Sequence, residues 1–232
     1  MTTPLLLLPG LLCDDQLWAA QTAALAGDCD VVVADMTQDD SIAGMASRAI
    51  AQMPESFVVC GLSMGGYTAM EVMRQAGDQV TRLALFDTSP YADTPERIEI
   101  RRNLIERVKG GAFENVIEEH FQSFVHPSRL SDTELMGKIR TSAVNVGPEA
   151  YIREQTAIIG RVDSTDSLSK VTCPTLVLCG AEDALTPPSL HDEMAELVQG
   201  ATLVKVPGSG HLPTLEKPDE VTAAMRDWLE LG

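Results

Sequence analysis

The sequence predicts an α/β protein: a mostly parallel, doubly wound sheet of about six strands, helices on both faces, and an inserted helical segment. Three observations predict it. Short apolar runs alternate with longer amphipathic segments. Most of the runs are continuous rather than alternating, as expected of parallel strands buried on both faces. The alternation then stops after Asp87, and no strand candidate appears from Pro90 to Lys170.

The strand candidates are Pro4–Leu8, Val31–Ala34, Phe57–Cys60, Leu83–Phe86, Pro174–Cys179 and Thr202–Val206. Each helix between them has a start or stop signal. Gln16–Leu25 follows Asp14 and Asp15, either of which can cap it. Ser41–Met53 starts at a capping serine and stops at Pro54. Met64–Ala76 stops at Gly77, and Pro187–Val198 opens on prolines and closes before Gly200. Pro218–Leu231 carries Val221, Met225, Trp228 and Leu229 on one face at helical spacing. The interruption reads as four helices, Thr94–Lys109, Ala112–Phe124, Ser131–Asn145 and Pro148–Ile159. Residues 1–89 and 171–232 are therefore expected to form one core, with 90–170 inserted between two strands of its sheet.

A chain of 232 residues is long enough to bury a large core without a metal or disulfide. Aromatic residues make up only 4%, so that core must be mainly Leu, Val, Ala, Ile and Met. The formal charge is −17, which repels nucleic-acid phosphates and anionic lipid headgroups and argues against both as partners. The charge is uneven: Tyr91 to Thr172 holds 11 basic and 13 acidic residues, so nearly all the excess negative charge lies outside it. Cys13, Cys29, Cys60, Cys173 and Cys179 are dispersed, odd in number and without metal-ligand spacing. No run approaches the roughly 20 apolar residues that span a bilayer, and no signal-peptide pattern opens the chain. A reduced, cytoplasmic protein without metal or cofactor is the expectation.

Chemistry points to one serine. Gly61-Leu62-Ser63-Met64-Gly65 has the G-x-S-x-G pattern, with an apolar strand before it and a helical pattern after it. A sharp strand-to-helix turn projects the serine hydroxyl, and side chains two positions either side would collide there. A serine hydroxyl needs a base. Among the four histidines, His211 lies in a small-residue loop after the last strand, where such sheets build their sites. His120, His126 and His191 read as surface or packing residues. The imidazole needs a carboxylate, and Asp183 follows the fifth strand in Gly180-Ala-Glu-Asp, with Glu182 beside it. Asp87, also at a strand end, is the rival. The backbone N–H of Met64 is one expected oxyanion donor. The second is assigned to Leu11 in the loop after the first strand, with Leu12 as the other choice. Cys13, Met64 and Tyr67 are candidates for the pocket wall.

With these residues in view, the chain resembles the α/β-hydrolase superfamily over nearly its whole length. The opening Leu-Leu-Leu-Leu-Pro-Gly-Leu-Leu-Cys-Asp, the elbow at 61–65, Gly180-Ala-Glu-Asp183 and Gly208-Ser-Gly-His211 are similar to the signatures of small cofactor-free bacterial members. Two departures stand out. Many relatives have His-Gly where this chain has Pro9-Gly10, and the two antiparallel edge strands of the full fold are not found. The resemblance implies a helical cap over residues 90–170 and a serine hydrolase acting on small to medium acyl (thio)esters through an acyl-enzyme. Carbon–carbon bond hydrolysis, lactone hydrolysis and a non-enzymatic ligand receptor remain as alternatives on the same fold. Four cap arginines, Arg97, Arg101, Arg102 and Arg107, leave two readings open. They pair with Glu96, Glu99 and Glu106 on a solvated face, or some of them guide an anionic substrate.

Overall fold

A computed structural model describes residues 2–231. Six strands form one sheet: β1 (Thr3–Leu8), β2 (Cys29–Val33), β3 (Phe57–Leu62), β4 (Val80–Phe86), β5 (Thr175–Gly180) and β6 (Thr202–Val206), in the order β2-β1-β3-β4-β5-β6. Every pairing is parallel. The chain steps outward from β1 to β2, then returns to place β3 on the other side of β1. The switch point between β1 and β3 is where a doubly wound sheet opens a crevice at the carboxyl ends of its strands.

The continuous apolar runs have a simple origin. Side chains alternate across a strand, and both faces here are covered. Leu5 and Leu7 join one core with Val58, Cys60, Ala84, Phe86, Leu176 and Leu178. Leu6 and Leu8 join the other with Phe57, Val59, Leu83, Leu85 and Val177. The second face is covered by α2 (Ile42–Ile50), α3 (Met64–Ala76) and α8 (Pro188–Leu197). The first is covered by α1 (Ala19–Leu25), α10 (Pro218–Leu229) and helices inserted after β4.

That insertion contains α4 (Pro95–Lys109), α5 (Phe113–Phe124), α6 (Thr133–Ile159) and the single turn α7 (Thr165–Leu168). Its helix starts follow local chemistry. Thr94 caps α4 at the Arg97 N–H, and Asp132 caps α6 at the Leu135 N–H. α6 is interrupted at Gly147, whose φ of 75° leaves the helical region, and Pro148 restarts it. The two helices expected there are thus real, joined through that break. At the amino end, Asp14 caps a 3-10 turn, Asp15–Trp18, before α1 begins. Trp18 departs from helical backbone geometry, so the expected helix from Gln16 is split. A short α9 (Pro213–Glu216) precedes α10. No described helix is long and apolar enough to cross a membrane.

Candidate active site

Ser63 sits between β3 and α3 with φ 56° and ψ −112°. A non-glycine residue there costs on the order of 1–3 kcal/mol and persists only when its surroundings fix it. They do so from two sides. The Ser63 N–H donates to the Phe86 carbonyl at 2.9 Å, and Thr88 Oγ1 donates to the Ser63 carbonyl at 2.8 Å. The flanking glycines are needed for close approach. A Cβ at Gly61 would run into the Gly65 carbonyl, and one at Gly65 into the Leu8 carbonyl of β1.

His211 is carried by the β6–α9 loop, and two carboxylates, the buried Glu216 and the exposed Glu182, shape that loop. Glu216 accepts from the Gly210 N–H at 2.8 Å and from the His126 N–H of the insertion at 2.7 Å. Glu182 accepts from the Gly208 and Ser209 N–H groups. His211 then lies between two partners. Its Nε2 is 2.9 Å from Ser63 Oγ, and its Nδ1 is 2.8 Å from Asp183 Oδ2. Asp183 Oδ1 accepts from the Leu185 N–H (2.8 Å) and the Thr186 N–H (3.2 Å), and Oδ2 accepts from Thr186 Oγ1 at 2.5 Å. Burial works against its charge. The His211 ring and the Thr186 hydrogen bonds outweigh that and hold the carboxyl well below the ordinary range.

Asp87 occupies the neighbouring strand end, with φ 42°. It is fully buried, and its Oδ1 accepts from the Gly180 N–H at 2.8 Å. Its carboxyl lies within 4.8 Å of Asp183 and His211, yet the imidazole bonds Asp183. Burial first, and then the Asp183 charge, push Asp87 far above the usual carboxylate range. The surroundings therefore push this acidic pair apart, Asp183 toward its charged form and Asp87 toward its neutral form.

The β1 loop separates its two candidate donors. The Leu12 N–H already donates to Glu154 Oε2 on α6, at 3.1 Å, and Leu12 has φ 62°. The Leu11 N–H has no partner among the described residues, and Leu11 lines the cleft beside Ser63. Met64 opens α3, so its N–H has no intrahelical acceptor. Glu154 is fully buried, and burial pushes its pKa up to about 8. A folded-state pKa above the unfolded one adds stability at low pH and loses it as pH rises toward that value. We expect unfolding midpoints to fall between pH 5 and pH 8. Glu154→Gln should remove a share on the order of 3 kcal/mol of that fall, at about 1.36 kcal/mol per unit. An unchanged pH slope in thermal melts of the variant would refute this.

Ser63 and His211 open on a cleft of about 270 Å³ between the sheet end and the insertion. Ile100, Leu104, Phe124 and Ile158 give it an apolar wall, with Arg97 and Arg101 alongside. Of the three expected wall residues, Cys13 and Tyr67 line the cleft, whereas the Met64 side chain packs into the second core. Burial raises the Cys13 thiol far above its ordinary value, so it is not a competing nucleophile. His120 is more than a packing residue: it lines the cleft and lies 2.9 Å from Tyr151 Oη. Burial, then Arg101, lower its pKa to about 4, which leaves it neutral.

The profile described as "Alpha/beta hydrolase family" matches residues 5–224. The chain belongs to the α/β hydrolase family. Within it, the chain is similar to a thermophilic esterase from Thermogutta terrifontis, solved with malate bound. The identity is 32%, the TM-score 0.91, and the match covers 99% of this chain and 90% of that one. An enol-lactonase from Burkholderia xenovorans shares the fold at 22% identity and TM-score 0.90, covering 99% and 92%. A pimeloyl-[acyl-carrier protein] methyl ester esterase of Neisseria meningitidis is 25% identical over 219 residues, 92% of this chain and 84% of that protein.

Three site residues of this α/β hydrolase escaped sequence reasoning: Thr186, Glu154 and Glu216. The Asx-turn at Asp183 is closed by the Leu185 N–H two residues on, and Thr186, the next residue, adds its N–H and hydroxyl to the same carboxylate. Glu154 sits in a long helix, where a glutamate normally faces water, and Glu216 ends a single turn just before α10. Nothing local marks them as buried.

Proposed function

We propose that this α/β hydrolase cleaves carboxylic esters of small to medium acyl groups through an acyl-enzyme on Ser63. The observation that carries this reading is the unbroken hydrogen-bond chain Asp183–His211–Ser63, ending at the cleft. With its proton on Nδ1, the imidazole donates to Asp183 and offers Nε2 to the serine. His211 takes the Ser63 proton as Oγ adds to the ester carbonyl, and the imidazolium is stabilised by Asp183. The developing oxyanion is met by the N–H groups of Leu11 and Met64. The carbonyl re-forms, His211 gives its proton to the departing alkoxide, and an acyl-serine remains. Water, deprotonated by His211, repeats the addition and releases the acid. A lactone enters the same steps with its alcohol still tethered to the acyl group.

The esterase names of the relatives at 25% and 32% identity support an ester or thioester substrate. Residues 90–170 act in this reading as a cap over the cleft, joined to the core through Glu154 and Glu216. All five cysteines are free, which suits the reducing cytoplasm. The test is a graded panel of neutral esters and thioesters together with a fluorophosphonate probe. Turnover with labelling at Ser63 is expected, with short to medium acyl chains preferred. Failure to label Ser63 would favour a ligand receptor. Labelling without ester turnover would favour carbon–carbon cleavage.

A further inference from the structure

The cap arginines divide by their partners. Arg102 lies 3.9 Å from Glu99, and Arg107 pairs with Glu119, both on the exposed side of α4. Lys109 pairs with Glu106. Arg97 and Arg101, four residues apart on one face, instead line the cleft that holds Ser63. Arg101 Nε bonds Asp93 Oδ2 at 2.5 Å, and its Nη1 bonds Gln155 Oε1 at 2.8 Å. The same Asp93 also serves Arg161, whose Nη2 lies 2.7 Å from Oδ1. Arg161 stacks on Tyr67, another cleft residue, 4.3 Å from the ring centre. Arg97 has no ion pair, and its guanidinium has no hydrogen-bond partner, among the described residues.

Two guanidiniums, those of Arg101 and Arg161, therefore share one carboxylate beside this wall, and Arg97 has none among the described residues. Of the other titratable groups nearby, His120 is neutral and Glu96 is exposed at the outer start of α4. An uncompensated positive wall on a chain of net charge −17 is not explained by surface ion pairing. Beside it the cleft is apolar, through Ile100, Leu104 and Phe124. A planar guanidinium fork matches a carboxylate, and Arg97 has its whole fork available.

We propose that the preferred substrates carry a second, free carboxylate: monoesters or lactones of short diacids, with Arg97 and Arg101 holding the free carboxylate while Ser63 attacks the ester. This rests on the ester-hydrolase reading above and adds the chemical class of its substrate. Arg97 is the better probe because it is exposed and bears no structural bond, whereas Arg101 anchors a buried aspartate.

The experiment compares monomethyl adipate with methyl hexanoate, equal in chain length and different in charge. The ratio of their kcat/KM values is the readout. Arg97→Gln should lower that ratio about fivefold, the size of a partly exposed ion pair, and Arg97→Lys should restore part of it. Raising salt should lower the ratio in the wild type, because the screening length shrinks from about 10 Å at 0.1 M to about 3 Å at 1 M. A ratio unmoved by Arg97→Gln overturns the proposal. Calorimetric binding of monomethyl adipate to the Ser63→Ala protein, with and without Arg97→Gln, tests the subsite without turnover. Weaker binding in the double variant is expected. Equal binding, or none in either protein, also overturns the proposal, even if neutral esters are hydrolysed. Arg97-dependent binding in an enzyme that cleaves no ester would instead overturn the esterase reading and leave the carboxylate subsite standing.

Discussion

Ser63→Ala is expected to lower ester turnover by about 10⁴–10⁶ while the fold is retained, because nucleophile, base and acid act as one unit. The loss is chemical. In the proposed mechanism there is no acyl-enzyme without Oγ, and the Leu11 and Met64 N–H groups are left to assist only direct attack by water. The retention of fold follows from what Oγ touches. Its hydrogen-bond partner is His211 Nε2, which faces the cleft and can turn to water instead. The unusual backbone of Ser63 is fixed through main-chain groups, by Phe86 and Thr88, and those bonds do not depend on the side chain. His211→Ala should cost a similar amount, since Ser63 then has no base. Steady-state rates on a neutral ester, with thermal melts of the same samples, check both. A folded Ser63→Ala protein with near-normal turnover would rule out the mechanism.

How much of this arrangement could be read from the sequence depends on the kind of interaction involved. A parallel strand covered on both faces must be apolar at every position, so β1, β3, β4 and β5 stood out as unbroken runs. Their ends were less clear, because β3 continues through Gly61 and Leu62 into the elbow, and β4 begins at the polar Val80-Thr-Arg stretch. The elbow was legible because sterics restrict its residues, and the order of Ser63, Asp183 and His211 followed from it. Long-range polar contacts were not legible. Glu154 reaches from α6 to the Leu12 N–H across 142 residues, and this bond is what separates Leu11 from Leu12 as a potential donor. Glu216 ties the His211 loop to His126 in the same way. The i, i+4 spacing of Arg97 and Arg101 puts them on one face of α4, but spacing does not say what that face meets. The packing of α4 beside the cleft is what sets them apart from Arg102 and Arg107.

Asp183→Asn is expected to cost about 10²–10⁴ in turnover, and the hydrogen bonds around the carboxylate say why. Oδ1 receives two backbone N–H groups, from Leu185 and Thr186, so the carboxamide oxygen of an asparagine must take that side. Its NH₂ group then occupies the place of Oδ2, facing His211 Nδ1. An amide nitrogen can only donate. The imidazole is driven to keep its proton on Nε2, where it cannot accept one from Ser63, and the imidazolium also loses its counter-charge. Asp87 provides the control. Burial and the neighbouring Asp183 push it toward its neutral form, and it offers one oxygen to the Gly180 N–H. An asparagine there keeps that acceptor and presents an NH₂ donor where the protonated acid presents its hydroxyl, so Asp87→Asn should change turnover by less than about tenfold. The pair of variants also separates the two strand ends as sources of the acid. A large loss in Asp87→Asn with near-normal rates in Asp183→Asn would move the acid to β4. Measuring both on one neutral ester, below and above pH 7, decides it. Asp183 is held charged well into the acid range, so the Asp183→Asn deficit should persist across that interval.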